Sequence, residues 1–249
     1  MKILPAIFAL TVLGLPSVRA AETGRNIFIL SGQSNIARLK PSESFIPAVE
    51  KQFGKENCCI IHQSASGKAI RWWYRDWQPA KNWKPKKEGD SLEVTEDYSK
   101  DLVRQYQNAA RNQKIRSVTL VWMQGESDGL EGHGAVYERS LAGFVAQMAK
   151  DIERPDMHVV IGRISDFGTS RNNTEWNLVR EAQVRFAESS PHYAWINTDD
   201  LNDGVIIDGK SVPNDLHYAP EAYKTLGTRF AEKAIELILD PPKPAMKKR

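Results

Sequence analysis

The stretch Asn26-Ile27-Phe28-Ile29-Leu30-Ser31-Gly32-Gln33-Ser34-Asn35 constrains this chain most, because four consecutive apolar residues run straight into a small-residue turn. A short continuous apolar run marks a strand buried on both faces, as in parallel sheets, and Gly32 supplies backbone freedom for a tight turn at its end. Ser34 then stands at a strand's carboxyl end, where open α/β sheets gather ligands and chemistry. From this stretch alone Ser34 has two readings. It is either a nucleophilic hydroxyl held out at the sheet edge or a cap for the helix that follows.

The same pattern returns along the chain. Residues 58–62 form a second apolar strand that ends in Gln63-Ser64-Ala65-Ser66-Gly67, and residues 118–123 a third that ends in Gln124-Gly125-Glu126-Ser127-Asp128-Gly129. Further strands are expected at 159–164 and, more weakly, 193–197. Apolar spacing of the helical kind predicts helices over 45–53, 96–113, 136–151, 174–189 and 220–239, with Pro220 suited to a first turn. Strands alternating with helices at these spacings imply right-handed βαβ units and a parallel sheet covered on both faces. The expected architecture is α/β: a flavodoxin-like three-layer α/β/α sandwich with a five-stranded parallel sheet of order 2-1-3-4-5. The Trp- and Lys/Pro-rich segment from Arg71 to Lys87 reads as a long surface loop.

Composition narrows the function. With 249 residues, 41% hydrophobic and 26% charged, the chain can bury a sizeable core as one domain over 21–240. Residues 1–20 carry Lys2, an apolar run and Val18-Arg19-Ala20, the pattern of a signal peptide cut after Ala20. The expectation is a secreted or periplasmic protein with no membrane-spanning segment in the mature chain. Residues 241–249 read as a basic, proline-broken tail. Formal net charge is +3, and the leader holds two of those positive charges, so nothing argues for a nucleic-acid partner. Cys58 and Cys59 are the only cysteines and are adjacent, which excludes a disulfide framework. His62, His133, His158 and His192 lack ligand spacing, and residues 199–204 lack the spacing and closing Glu of a calcium loop, so no metal or other cofactor is expected.

In the expected sheet, the loops bearing Ser34, Gly67, Gln124 to Asp128 and Asn214-Asp215-Leu216-His217 converge on one rim. A serine, a histidine and a carboxylate gathered there are what acyl transfer needs. Two other motifs fail: Ile36 stands where an α/β-hydrolase elbow needs its second glycine, and Ser66-Gly67-Lys68-Ala69 lacks the upstream glycine and magnesium-binding hydroxyl of a phosphate loop.

The four blocks Gly32-Gln33-Ser34-Asn35, Gly67, Gln124-Gly125-Glu126-Ser127-Asp128 and Asp215-Leu216-His217 with Leu226-Gly227 resemble those of the SGNH/GDSL hydrolases. Within them, the chain is similar to the sialate O-acetylesterase-like and acetylxylan-esterase-like branch (carbohydrate esterase family 6-like). The resemblance implies the SGNH hydrolase fold and a serine esterase that removes O-acetyl groups from a carbohydrate through an acyl-enzyme intermediate. By it, Ser34 is the nucleophile, His217 the general base, and Asp215 the acid that orients the histidine, with Glu126 a second candidate. The oxyanion would be held by the backbone N–H groups of Ser34 and Gly67 and by the Gln124 side-chain amide. The position three before His217, where many of these hydrolases carry the acid, is Asn214. Asn35, Trp72 and Trp73 are candidate substrate contacts, the tryptophans as stacking walls for a sugar or else as residues packing the loop. A carboxylate beside His217 is expected to raise its pKa above about 6.5. The competing reading is a secreted carbohydrate-binding protein on a degenerate hydrolase fold.

Overall fold

The computed structural model describes residues 23–81, 83–84 and 91–240, so the leader and tail readings lie outside the described residues. The chain runs β1 (Arg25–Gly32), α1 (Ser34–Arg38), α2 (Phe45–Phe53), β2 (Cys58–Ser64), α3 (Tyr98–Ala110), β3 (Ile115–Met123), α4 (Glu126–Glu131) and α5 (Gly134–Asp151). It continues through β4 (His158–Gly162), α6 (Thr174–Glu188), β5 (Tyr193–Ile196), β6 (Val205–Ile207), β7 (Lys210–Val212) and α7 (Pro220–Leu239). Five strands form a parallel sheet in the order β2-β1-β3-β4-β5. The expected flavodoxin-like order is therefore present.

Successive strand residues point to opposite faces, and both faces of β1 and β3 are apolar. Ile27, Ile29, Leu120 and Trp122 pack with Leu102, Phe144 and Val179 of α3, α5 and α6. Phe28, Leu30, Val121 and Met123 face the other way, toward Val49 of α2 and Leu226 and Phe230 of α7. Each such side chain, wholly buried, contributes roughly 1.5–3 kcal/mol relative to exposure. The central strands are thereby fixed, and with them the loops at their carboxyl ends.

Three departures from the expected elements have physical causes. β4 stops at Gly162 because the Ile164 N–H turns out of the ladder to the Gln183 side chain, 2.9 Å away. Between β5 and the histidine loop the chain makes an unforeseen antiparallel hairpin, β6–β7, turning at Asp208 and Gly209, both with positive φ. The tryptophan segment is not simply a surface loop. Residues Ile70–Trp72 make a 3₁₀ turn, and Trp73 is 1% exposed, edge-on to Trp122 at 5.3 Å and tilted against Tyr98 at 5.2 Å. Arg71 is buried beside it and pairs with Glu131. Among the described residues no helix is long and apolar enough to cross a membrane.

Candidate active site

Gly32 has φ +141°, and a Cβ there would collide with the Met123 carbonyl, so only glycine lets β1 remain pressed against β3 up to the turn. The Gln33 N–H closes that turn on Met123 O at 3.0 Å. Ser34 follows as the first residue of α1, half-buried, with its Oγ 3.0 Å from His217 Nε2. The two are 183 residues apart in the chain.

The loop that carries His217 is held at several points. Asn214 sits at φ +50° and receives the Asn202 amide at 2.8 Å, while Asp203 Oδ1 accepts the Asn214 N–H at 2.7 Å and Asn202 O the Asp215 N–H at 2.8 Å. On the far side Tyr223 donates to Asn35 Oδ1 (2.9 Å) and accepts the Tyr218 N–H (3.2 Å). The Asn35 amide donates to Leu216 O at 3.2 Å and to Glu126 Oε1 at 2.8 Å. Asn35 is 1% exposed. Its reading as a substrate contact is corrected: a side chain with its polar atoms spent on Tyr223, Leu216 and Glu126 holds the serine and histidine loops together instead.

The two candidate acids occupy different positions. Asp215 Oδ1 accepts the backbone N–H of His217 at 2.9 Å, folding the carboxylate back along its own loop. Glu126 is buried at the start of α4 and accepts from the Asn35 amide at Oε1; its Oε2 has no hydrogen-bond partner among the described residues. Burial raises the Glu126 pKa. For His217 the balance falls opposite to the sequence expectation. Partial burial, then the Arg38 guanidinium, lower its pKa from 6.5, and the raising effect of Asp215 is the smaller one.

Gly67 is exposed with φ +70°, and the position a Cβ would take opens on empty space. The Gln124 amide is placed otherwise than expected. Its side chain is wholly buried, and Nε2 lies 2.6 Å from Asp128 Oδ2 and 3.3 Å from both Gln33 Oε1 and Lys68 O, while Oε1 accepts from the Tyr137 hydroxyl at 3.1 Å. Two N–H groups facing three protein acceptors leave none for an oxyanion, so the Gln124 role is corrected to bracing the loops around the serine. Trp73 is corrected as a sugar wall by its burial. Trp72 is only partly buried; its ring stacks on Tyr98 at 5.8 Å and carries Lys68 Nζ 3.7 Å from its centre.

Sequence reading missed Gln33, Asp128, Tyr223 and Asn202 as parts of this assembly. Gln33 and Asp128 stood inside the motif blocks, so their signal was position in the block; Tyr223 and Asn202 carried none. Gln33 Oε1 accepts the Ser127 N–H at 3.2 Å, tying the β1 turn to the β3 turn. Cavities lie elsewhere: about 560 Å³ and 510 Å³ along β5, around Trp195 and Lys233, about 450 Å³ beside Arg163 and Arg180, and about 380 Å³ under the tryptophan segment. Ser34 and His217 line none of these four. Among the described residues no group of His, Cys, Asp and Glu is arranged to hold a metal ion.

Solved structures share the architecture. A protein from Arabidopsis thaliana aligns with a TM-score of 0.62 at 16% identity, covering 86% of this chain and 99% of its own. A carbohydrate acetylesterase from Xanthomonas citri aligns at 0.56 and 14% identity, over 85% of this chain and 56% of its own. A carbohydrate esterase family 3 protein from Talaromyces cellulolyticus aligns at 0.53 and 13%, over 88% and 100%. At such identities these likenesses speak for the fold alone. A comparison with curated proteins finds no match. The family model described as carbohydrate esterase, sialic acid-specific acetylesterase, matches residues 36–236, beginning two residues after Ser34, and the chain belongs to that family.

Proposed function

We propose that the protein is an exported serine esterase that removes O-acetyl groups from a carbohydrate through an acyl-enzyme intermediate. The observation that carries this reading is the 3.0 Å approach of Ser34 Oγ to His217 Nε2 at the carboxyl end of the central strands. Ser34 Oγ attacks the acetyl carbonyl as its proton passes to Nε2. A new Oγ–C bond forms, the ester C–O bond breaks, and the proton goes on to the departing sugar hydroxyl. Water then attacks the acetyl carbonyl as His217 takes its proton; the Oγ–C bond breaks, the proton passes from Nε2 back to Ser34 Oγ, and acetate leaves.

The backbone N–H groups of Ser34 and Gly67 are the proposed oxyanion donors. Charge grows on that oxygen only in the transition state, so a lost donor typically adds about 2.7–4 kcal/mol to the barrier. Asp215 is the proposed partner of His217, and Glu126 supports the histidine loop through Asn35. Family membership supports an acetylated glycan as substrate. The leader-like pattern of residues 1–20 supports export. The test is acetate release from a panel of acetylated polysaccharides and sialic acids by wild-type protein and Ser34→Ala. Release from at least one by the wild type alone is expected; binding without release would favour the carbohydrate-binding alternative.

A further inference from the structure

Asp128 has no role in the chemistry above, yet it is a buried carboxylate in the midst of it. It lies in the first turn of α4 with 0% exposure. Its Oδ2 accepts two hydrogen bonds, from Gln124 Nε2 at 2.6 Å and from the backbone N–H of Ile70 at 2.9 Å. Its Oδ1 has no hydrogen-bond partner among the described residues. Arg71, the neighbouring cation, is paired with Glu131. A buried carboxylate with one bare oxygen is costly to keep, and replacing it by an apolar residue is often stabilising.

The partners of Oδ2 indicate what the cost is set against. Ile70 opens the 3₁₀ turn three residues after Gly67, and Gln124 Nε2 also reaches Lys68 O, one residue after Gly67. Gly67 itself, exposed and at positive φ, has no side chain to anchor it. The segment 67–70 is thus pinned to the β3 turn at Lys68 O and at the Ile70 N–H, and both pins pass through Asp128. By accepting at Oδ2 it also decides which way the Gln124 amide faces: nitrogen toward Asp128, oxygen toward Tyr137.

We propose that Asp128 is a positioning residue for catalysis, a buried carboxylate that fixes the Gly67 N–H against Ser34 by holding Ile70 and Gln124. The proposal rests on the esterase reading above. Because an oxyanion donor acts on charge that develops only in the transition state, misplacing it lowers kcat and leaves KM little changed.

Two substitutions test this from opposite ends of one hydrogen bond. Asp128→Asn keeps the shape but exchanges the carboxylate for an amide that must also turn two donors toward the site of Oδ1. Ile70→Pro removes the N–H that Asp128 accepts; Ala69 at φ −74°, ψ 162° suits a following proline, and Ile70 is the first residue of its turn. Steady-state hydrolysis of 4-nitrophenyl acetate by the purified full chain is measured with thermal unfolding. The expected result is at least a tenfold fall in kcat for each variant, KM within twofold of wild type, and a double variant no slower than the slower single, since both break the same link. Wild-type kcat in either folded variant, whatever its melting temperature, overturns the proposal, as does a rise in KM at constant kcat. If one variant fails to fold, the other decides. Inactive wild-type protein would overturn the esterase reading itself, and this proposal with it.

Discussion

Ser34 and His217 approach to 3.0 Å because Asn35, the residue after Ser34, donates to Leu216 O, the carbonyl of the residue before His217. The pair's pH behaviour follows from what surrounds the imidazole. Burial and Arg38 lower the His217 pKa, and only the neutral ring accepts the serine proton, so activity is retained as pH falls past 6.5 and lost as it falls through the lowered value. A pH profile of kcat/KM should place the acidic midpoint below 6.5, and Arg38→Gln should move it upward; a wild-type midpoint above 6.5 would contradict the assignment. The acids separate by substitution. Asp215→Asn should lower kcat by two orders of magnitude or more, whereas Glu126→Gln, whose amide oxygen still accepts from Asn35, should lower it about tenfold at most. The reverse order in steady-state kinetics would transfer the histidine-orienting role to Glu126. At this scale the meeting of Ser34 and His217 was legible because both stood in loops that the expected sheet order brings to one rim. Asn35, Gln124 and Trp73 were legible only in kind, since a motif does not tell whether a side chain faces solvent or the interior.

The elements were read well where long periodicity and an end signal coincided. α7 runs Pro220–Leu239 as expected, with proline in its first turn and Leu226 and Phe230 on the sheet. Short pieces escaped. β6 and β7 have three residues each and little burial, too few for an alternating pattern, although the Asp208-Gly209 pair between them was a hairpin signal. α4 has six residues and follows the turn at once, so its apolar spacing never completes. The tryptophan segment was open to two readings because Pro and Lys mark loops without saying whether aromatics among them turn inward; Trp73 takes the packing one. Its packing gives a prediction at this scale. Trp73→Ala removes a wholly buried ring from between Trp122 and Tyr98 and should cost about 3–5 kcal/mol in denaturant unfolding. The KM of the folded variant for 4-nitrophenyl acetate should not change; a raised KM with unaltered stability would restore Trp73 as a substrate contact.

For the whole molecule, two buried groups at opposite ends of the sheet set how stability depends on pH. His158 opens β4 beside His192, and burial foremost, then His192, lower its pKa to about 4. Between 6.5 and 4 the unfolded chain takes up a proton that the folded one refuses, so stability is lost as pH falls through that window. Asp128 acts in the opposite sense: burial raises its pKa from 3.8 to about 7, and the folded chain keeps a proton the unfolded chain has released. Stability is therefore lost as pH rises from 3.8 to 7. Each contribution is on the order of a few kcal/mol, so the two nearly offset between pH 4 and 6.5. Urea unfolding across this range should show Asp128→Asn gaining on wild type as pH rises and His158→Gln gaining as it falls; parallel curves would contradict both. Fold, sheet order and the rim were legible from the alternation of strands and helices, but these buried titratable groups were not, because burial is a property of the packed molecule. The central claim is tested most directly by the initial rate of 4-nitrophenyl acetate hydrolysis for wild type and Ser34→Ala at pH 7.5, with matched thermal unfolding. If Ser34 is the nucleophile, losing its hydroxyl lowers kcat by at least about 10⁴-fold, of the order seen when a triad serine is removed; a folded Ser34→Ala protein retaining more than a tenth of wild-type kcat would contradict that role.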